Sequence, residues 1–403
     1  MTVYNQEKEC PVPEPFMAHL GSILLMTALF FLTFLGRFIL APLMPTIVQE
    51  LNLTSGQAGS VFLMISIGFF IGQVGSGFLS SWINHRGSLL ASILALGLAL
   101  VFFKIPAGFW FVRCLLFTLG LAAGLHVPSA IATITAMVNR QDWGKAMAVH
   151  QSAPSLSLTM GPLIVLLLEP RCSWQTILAI IGGVSVAAGL IFYRFGRFGF
   201  FPGEAPRPAL VKTVCTRRSF WIMIVLFAFA MGGNVGIYAM LPLYLVGERG
   251  FDTQWANSVL SLSRISGIPL VFLAGWLTDR LGVKRFVFIV MFFSGAATVL
   301  LGATSGVWLV VMIFIQSAVI GCYFPAGFAA LGRIVQPNLR SVVAALTTPA
   351  AFLFGGGVLP AAIGYMGQKY SIAAAFVWIG CLIIPVAGLV FFVELIEIYE
   401  EGC

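Results

Sequence analysis

Twelve apolar segments, each long enough to cross a bilayer at about 20 residues, divide this chain. The lysines and arginines between them fall mostly into alternate gaps. The segments run over residues 17–45, 55–80, 88–103, 110–137, 146–168, 174–193, 219–246, 255–278, 286–304, 307–333, 341–367 and 373–396. The even-numbered gaps hold Arg86; Arg140 and Lys145; Arg194, Arg197, Arg207, Lys212, Arg217 and Arg218; Arg280, Lys284 and Arg285; Arg333 and Arg340. These are fourteen of the 22 basic residues. The odd-numbered gaps hold only Lys104, Arg171, Arg249 and Lys369. Lys8 precedes the first segment, and Arg37, Arg113 and Arg264 lie inside segments. Basic residues collect on the cytoplasmic side of a membrane. The pattern predicts an all-α polytopic membrane protein with both termini and the long central loop in the cytoplasm.

Composition narrows the class. The chain is 59% hydrophobic and only 9% charged, against about 25% charged in a soluble domain. The net charge of +8 follows from the loops, so it is no nucleic-acid footprint. The seven cysteines show no metal-ligand spacing, and only Cys172 falls in an exported loop, so neither a metal site nor an external disulfide is expected. Residues 1–16 are polar and the first segment is too long for a signal-peptide core; it reads as a retained helix. Asn52-Leu53-Thr54 forms a glycosylation triplet. The compact loops suggest a bacterial cytoplasmic (inner) membrane protein, in which that triplet is unused. No Walker loop and no nucleophile with matched base and acid is visible, so neither ATP hydrolysis nor another enzyme activity is expected, and no cofactor is implied.

The chain is written twice. Gly36 and Pro42-Leu43 match Gly236 and Pro242-Leu243; Gly77-Phe78-Leu79 matches Gly275-Trp276-Leu277; Pro128 matches Pro325; Pro154 matches Pro349. The offset drifts only from 200 to 195. The expected organisation is a six-helix bundle over 1–193, a linker loop over 194–218 and a second bundle over 219–403. Internal repeats mark transporter folds, with substrate sites at the repeat interface near the midplane.

The loop after segment eight reads Gly275-Trp-Leu-Thr-Asp279-Arg280-Leu-Gly282-Val-Lys284-Arg285. It resembles the cytoplasmic GxLxDRxGxKR motif of the major facilitator superfamily. The resemblance covers essentially the whole chain and implies two pseudo-symmetric six-helix bundles. It also implies a gating latch built on Asp279 and Arg280, with Gly275 and Gly282, that closes in the outward-facing state. The first-half loop departs from the motif: Ser81 stands for the acid, Trp82 for the arginine and Asn84 for the glycine. Gly161-Pro162 in segment five resembles the family's glycine-proline motif. The spacing of Arg113 to Gly120 does not match the family's arginine in segment four, and no role is carried over to it; Arg113 is expected to snorkel or to be structural.

Ionisable residues inside a membrane are costly and usually functional. The inventory here is one-sided. Arg264 sits near the centre of segment eight, Arg37 in the outer half of segment one, His126 in segment four and His150 in the inner part of segment five. Acids are absent from the segments apart from Glu394 and Glu397 at the end of segment twelve. An arginine in a dry site needs an anionic partner or several acceptors, and its planar fork matches a carboxylate or phosphate. By the repeat, Arg264 aligns with Ser66 and Arg37 with Ile237, so each arginine is one-sided, as an asymmetric substrate requires. Arg264 could instead bond backbone carbonyls, and Arg37 could snorkel. His126 pairs with Tyr323, each two residues before a proline. Asn234 and Tyr238 share a face of segment seven, where helix–helix bonding is the alternative. His150 is the candidate for proton coupling. Gln73, Gln316, Thr347 and Thr348 are weaker polar candidates.

The expected function is secondary transport of a small organic anion, by proton symport or exchange, by a chain that works as a monomer in the lipid bilayer. Arginine in segment eight, in Ser263-Arg264-Ile265-Ser266, is loosely similar to the monocarboxylate and oxalate–formate branches. A drug or cation exporter of the same fold would place an acid in the cavity. A transporter-like membrane sensor would need an output surface.

Overall fold

A computed structural model describes residues 16–106, 108–204, 208–336 and 339–396. Lys8, Cys10, Arg207, Glu397 and Cys403 lie outside the described residues. Ten helices are long and apolar enough to cross a membrane, and the bent pair Thr253–Val271 and Leu273–Leu281 adds an eleventh. One of the ten, Ser55–Phe102, has 48 residues, or about 72 Å at 1.5 Å per residue, against an apolar thickness of about 30 Å. Asn84, at φ 60 and ψ 174, breaks it. The described residues therefore form twelve spans.

We label them α1 (Phe16–Leu51), α2 (55–83) and α3 (85–102) on either side of the Asn84 break, α4 (Trp110–Met137), α5 (Arg140–Leu168), α6 (Trp174–Phe195) and α7 (Arg218–Glu248). The second half continues with α8 (Thr253–Leu281), α9 (Val283–Ala303), α10 (Gly306–Leu331), α11 (Arg340–Lys369) and α12 (Ile372–Phe392). Six crossings put residue 16, the linker stretches 196–204 and 208–217, and residue 396 on one face, called the linker face below.

Local sequence sets the helix ends. Thr54 and Gln57 form a reciprocal capping box at the start of α2, with bonds of 2.9 and 3.2 Å. Asp252 accepts from the Gln254 and Trp255 N–H groups to open α8, and Ser371 accepts from Ala374 N–H to open α12. On the linker face, Lys145 and the Phe16 N–H both donate to Asp142, tying the start of α1 to the α4–α5 turn. The Lys145 bond first, then the Phe16 bond, holds the Asp142 carboxyl below its usual value.

Small residues let the backbones meet, the usual device where lipid supplies no hydrophobic drive between helices. Gly68 and Gly72 of α2 face Gly120 and Gly124 of α4. A Cβ on Gly120 would lie 1.8 Å from the Ile65 carbonyl oxygen, so larger residues there would force the helices apart.

The repeat extends to features the sequence alignment alone did not bring out. Glu50 ends α1 and accepts from Trp174 Nε1 at 2.9 Å and Gln175 Nε2 at 3.3 Å, fastening the start of α6. Glu248 ends α7 and accepts from the Ile372 and Ala373 N–H groups, fastening the start of α12. Likewise Asn84 and Gly282 occupy equivalent turns, and both have positive φ, 60 and 80. The first half thus keeps the backbone turn of the resembled motif although it lacks the motif's glycine. Asn84 supports its turn by accepting from Gly87 N–H at 2.8 Å.

The linker folds back onto that turn. His85 and Arg86 N–H groups donate to the Phe201 and Gly199 carbonyls, and Gly203 N–H donates to Ser80 O. The Arg86 guanidinium donates to Gly196 O at 2.9 Å and Tyr193 O at 2.6 Å.

The two halves meet at mid-depth and on the face opposite the linker. A Cβ on Gly59 of α2 would lie 2.4 Å from Pro360 O, and one on Gly364 of α11 would lie 2.2 Å from Ser55 O. On the other side of the interface Tyr238 of α7 donates to Leu158 O of α5 at 3.1 Å, and Ser261 of α8 donates to Thr159 O at 2.8 Å. On the linker face Asp279 and Arg280 are exposed.

Candidate functional site

Arg37 is held where α1 breaks. Pro42 cannot donate to Phe38 O, and the α-helical ladder is interrupted at Ile39. The side chain is only 4% exposed. Its guanidinium carbon lies 5.0 Å from the Phe34 ring centre, 4.6 Å from Phe38, 4.2 Å from Phe69 and 4.6 Å from Phe352. Phe34 and Phe38 belong to α1 and Phe69 to α2, whereas Phe352 comes from α11 in the other half. Ring faces attract the cation but accept no conventional hydrogen bond in the guanidinium plane. Nε and Nη2 are buried without a hydrogen-bond partner among the described residues. An arginine drawn into the protein in this way does not snorkel to the interface.

Arg264 is placed differently. Its Nη1 donates to Asn234 Oδ1 at 2.5 Å and its Nη2 to Asn234 O at 2.6 Å, and its guanidinium carbon lies 4.8 Å from the Tyr238 ring centre. Asn234 can offer its carbonyl because Gly232–Gly236 winds as a π-turn, which shifts backbone acceptors off the regular ladder. Gln316 reaches the same turn, donating to Gly233 O at 2.8 Å. Arg264, Asn234 and Tyr238 therefore form one unit, and the Tyr238 hydroxyl ties it to α5.

His126 and His150 are both fully buried, and all four of their ring nitrogens lack a hydrogen-bond partner among the described residues. Each ring stacks with Phe30 of α1, at 5.4 and 4.7 Å between centres. Tyr323, the repeat mate of His126, is also fully buried; its hydroxyl has no hydrogen-bond partner among the described residues, and its ring centre lies 5.2 Å from that of Phe227. Among the weaker candidates, Gln73 Oε1 and Thr347 Oγ1 are buried without partners among the described residues, while Thr348 donates to Ala344 O within its own helix. Arg113 lies on the flank of α4, 5.9 Å from the Trp110 ring. It lines a lateral concavity of about 350 Å³ with Met64, Phe117 and Thr118, away from Arg37.

At the motif turn, Gly282 supplies positive φ, Arg280 stacks 4.1 Å over Trp276, and Asp279 makes no hydrogen bond or ion pair among the described residues. The counterpart Ser81 bonds only Phe78 O within its own helix.

The aromatic cage around Arg37 was the feature sequence reading missed. Phe34 and Phe38 flank Arg37 in sequence, but Phe69 and Phe352 are distant, and nothing in their local pattern marks them.

Comparison with known proteins identifies the fold and the family. The "Probable sulfoacetate transporter SauU" of Cupriavidus necator is 24% identical over 275 residues, 64% of this chain and 64% of the relative, just under two thirds of its length. The "D-galactonate transporter" of Escherichia coli is 19% identical over 375 residues, 83% of this chain and 86% of the relative. A bacterial homolog of the human lysosomal transporter Spinster, solved inward-facing and unoccupied, superposes with a TM-score of 0.81 at 14% identity, covering 94% of this chain and 98% of that one. The sequence profile described as Major Facilitator Superfamily matches residues 26–282 and 254–398. Two six-span halves, closed on one face around a shared set of buried polar side chains, are thus the body of a chain that belongs to the Major Facilitator Superfamily.

Proposed function

We propose that this protein is a secondary transporter that moves a small organic anion across the membrane by alternating access. Arg37 carries the reading. It is a buried cation between the two halves, with unspent donors and no carboxylate beside it among the described residues. Removing a charge from water without a partner is strongly unfavourable, so a ligand that supplies the missing charge gains that interaction on binding. A carboxylate or sulfonate fits the planar donor edge. Sulfoacetate and D-galactonate, named for two relatives, are anions of this class.

Arg264 serves the same site as a positioning residue: it fixes Asn234 and Tyr238 in the wall facing Phe38, whose ring centre lies 6.5 Å from that of Tyr238. Phe352 shares in the Arg37 cage only while the halves are closed on the face opposite the linker. Opening that face withdraws Phe352 and uncovers the guanidinium to anion from that side. With the linker face cytoplasmic, as the basic loops indicate, the closed face is external and the conformation is inward-facing. The Asp279 latch belongs to the opposite, outward-facing state, so its unpaired condition fits this assignment. The drug or cation exporter reading has less support, because the buried cations have no acid among them to receive a cationic ligand.

The test is isothermal calorimetry on purified protein with sulfoacetate, D-galactonate, inorganic phosphate and tetraphenylphosphonium. The account expects one or more of the anions to bind and the cation not to bind. Binding of tetraphenylphosphonium with none of the anions would establish the exporter reading instead.

A further inference from the structure

We infer that His126 and His150 form a single binding site for one proton, and that this proton is the ion coupled to anion movement. The inference rests on the anion-transport reading for its coupling step, but not for the proton site itself.

The two imidazoles come from different helices, α4 and α5, and converge on one ring of α1. Their centres lie 6.1 Å apart with planes only 16° from parallel, and both stack with Phe30. Buried polar groups without partners are uncommon. Here four ring nitrogens in one cluster have none among the described residues. A structural histidine in a helix interface ordinarily bonds a carbonyl or hydroxyl, as His85 does with Ser129 at 3.2 Å. His126 and His150 lack that occupation and keep basic lone pairs free.

The repeat says what the imidazoles replace. By the repeat His126 corresponds to Tyr323, whose ring packs against Phe227 of α7 at 5.2 Å between centres. Packing at this level is thus satisfied by an aromatic pair in the second half. The first half substitutes an imidazole, a group able to take up a proton, and adds a second one from α5.

Charge limits the occupancy to one. Two imidazolium rings at this spacing disfavour the second proton by roughly a hundredfold at an effective dielectric of about 20. The charged and titratable neighbours are few. Arg37 lies on α1, seven residues beyond Phe30 and so on the same face, about 10 Å along the helix. Phe34, edge-on to Phe30 and stacked on Phe38, fills the space between. His85 is turned to Ser129 at the α2–α3 break. Lys145 of α5 is exposed and paired with Asp142. The first-half acids Glu50, Asp142 and Glu169 all lie at span ends. The proton would therefore enter a region whose nearest fixed charge is another cation. It is tolerated best when an anion occupies Arg37, and the anion is in turn held more tightly by the added charge. That reciprocity is linkage, and it makes proton and anion travel together.

The test uses the full-length protein in lipid nanodiscs with 15N-labelled histidine. Of four imidazoles in the chain, His126 and His150 should together gain one proton between pH 8 and pH 4. In His126→Gln and His150→Gln the remaining ring should titrate alone with a displaced midpoint. Two independent protons, or none in that range, overturns the shared site. In lightly buffered solution with a pH dye, sulfoacetate should draw about one proton per anion bound, and the double variant His126→Gln/His150→Gln should reduce this at least tenfold. Sulfoacetate binding without proton uptake overturns the coupling. Failure of sulfoacetate and D-galactonate to bind at all removes both the anion reading and the coupling, while the titration still decides the proton site.

Discussion

The Phe352 ring of α11 lies 4.6 Å from the guanidinium carbon of Arg37 on α1, so one half of the protein covers the buried cation of the other. Phe69 completes the link, packing edge-on against Phe352 at 5.1 Å. Closure of the face opposite the linker and shielding of Arg37 are therefore parts of one arrangement.

Replacing Phe352 by alanine should weaken that closure. Spin labels at Gln57 and Gln368, near the tight Gly56–Gln368 approach, should show a longer-distance population in Phe352→Ala than in the parent. Identical distance distributions would separate the cage from the gate.

The same closure depends on backbone contact at Gly364, where a Cβ would fall 2.2 Å from Ser55 O. Gly364→Val should hold that face open. Transport into vesicles should fall by at least tenfold while anion binding persists. Wild-type transport by the variant would mean the face closes by another route.

Arg264 and Asn234 should behave as one unit in stability. Hydrogen bonds to a charged group contribute about 1.5–3 kcal/mol. Arg264→Gln and Asn234→Ala should thus be non-additive, with a coupling on the order of 1–3 kcal/mol in a double-mutant cycle. Additive losses would leave Arg264 free for direct ligand contact, the role its position in the sequence suggests.

Gly282 has φ 80 with open space around its missing Cβ. Gly282→Ala therefore tests backbone strain alone. It should cost about 1–3 kcal/mol without altering the neighbouring packing, read as a lowered thermal midpoint with unchanged anion affinity.

Much of the architecture was legible in the sequence because membrane solvent imposes it: span length, apolar composition and the alternation of basic loops are properties of single segments. The repeat was legible through Gly36, Pro42, Pro128 and their mates, because backbone-restricting residues keep their positions. The site was legible only as an inventory. Arg37, Arg264, His126 and His150 stood out as ionisable groups at membrane depth. Which of them had spent its donors was not readable, since that depends on a π-turn at Asn234 and on rings from α2 and α11. Local patterns do not encode contacts between residues as far apart in sequence as Arg37 and Phe352. The α2–α3 turn was legible from its flanking segments, but its backbone was not: Asn84 stands where the motif has glycine and still takes a positive φ.

The central claim is that Arg37 holds the transported anion. Calorimetry with the best-binding anion from the panel, on folded and monodisperse variants, tests it most directly. Losing one partner of a buried charge pair costs about 2–5 kcal/mol, so Arg37→Gln should weaken binding roughly 30-fold to several thousand-fold. Arg37→Lys, which keeps the charge and loses the fork, should fall between. An Arg37→Gln variant that binds the anion as tightly as the parent would contradict the account.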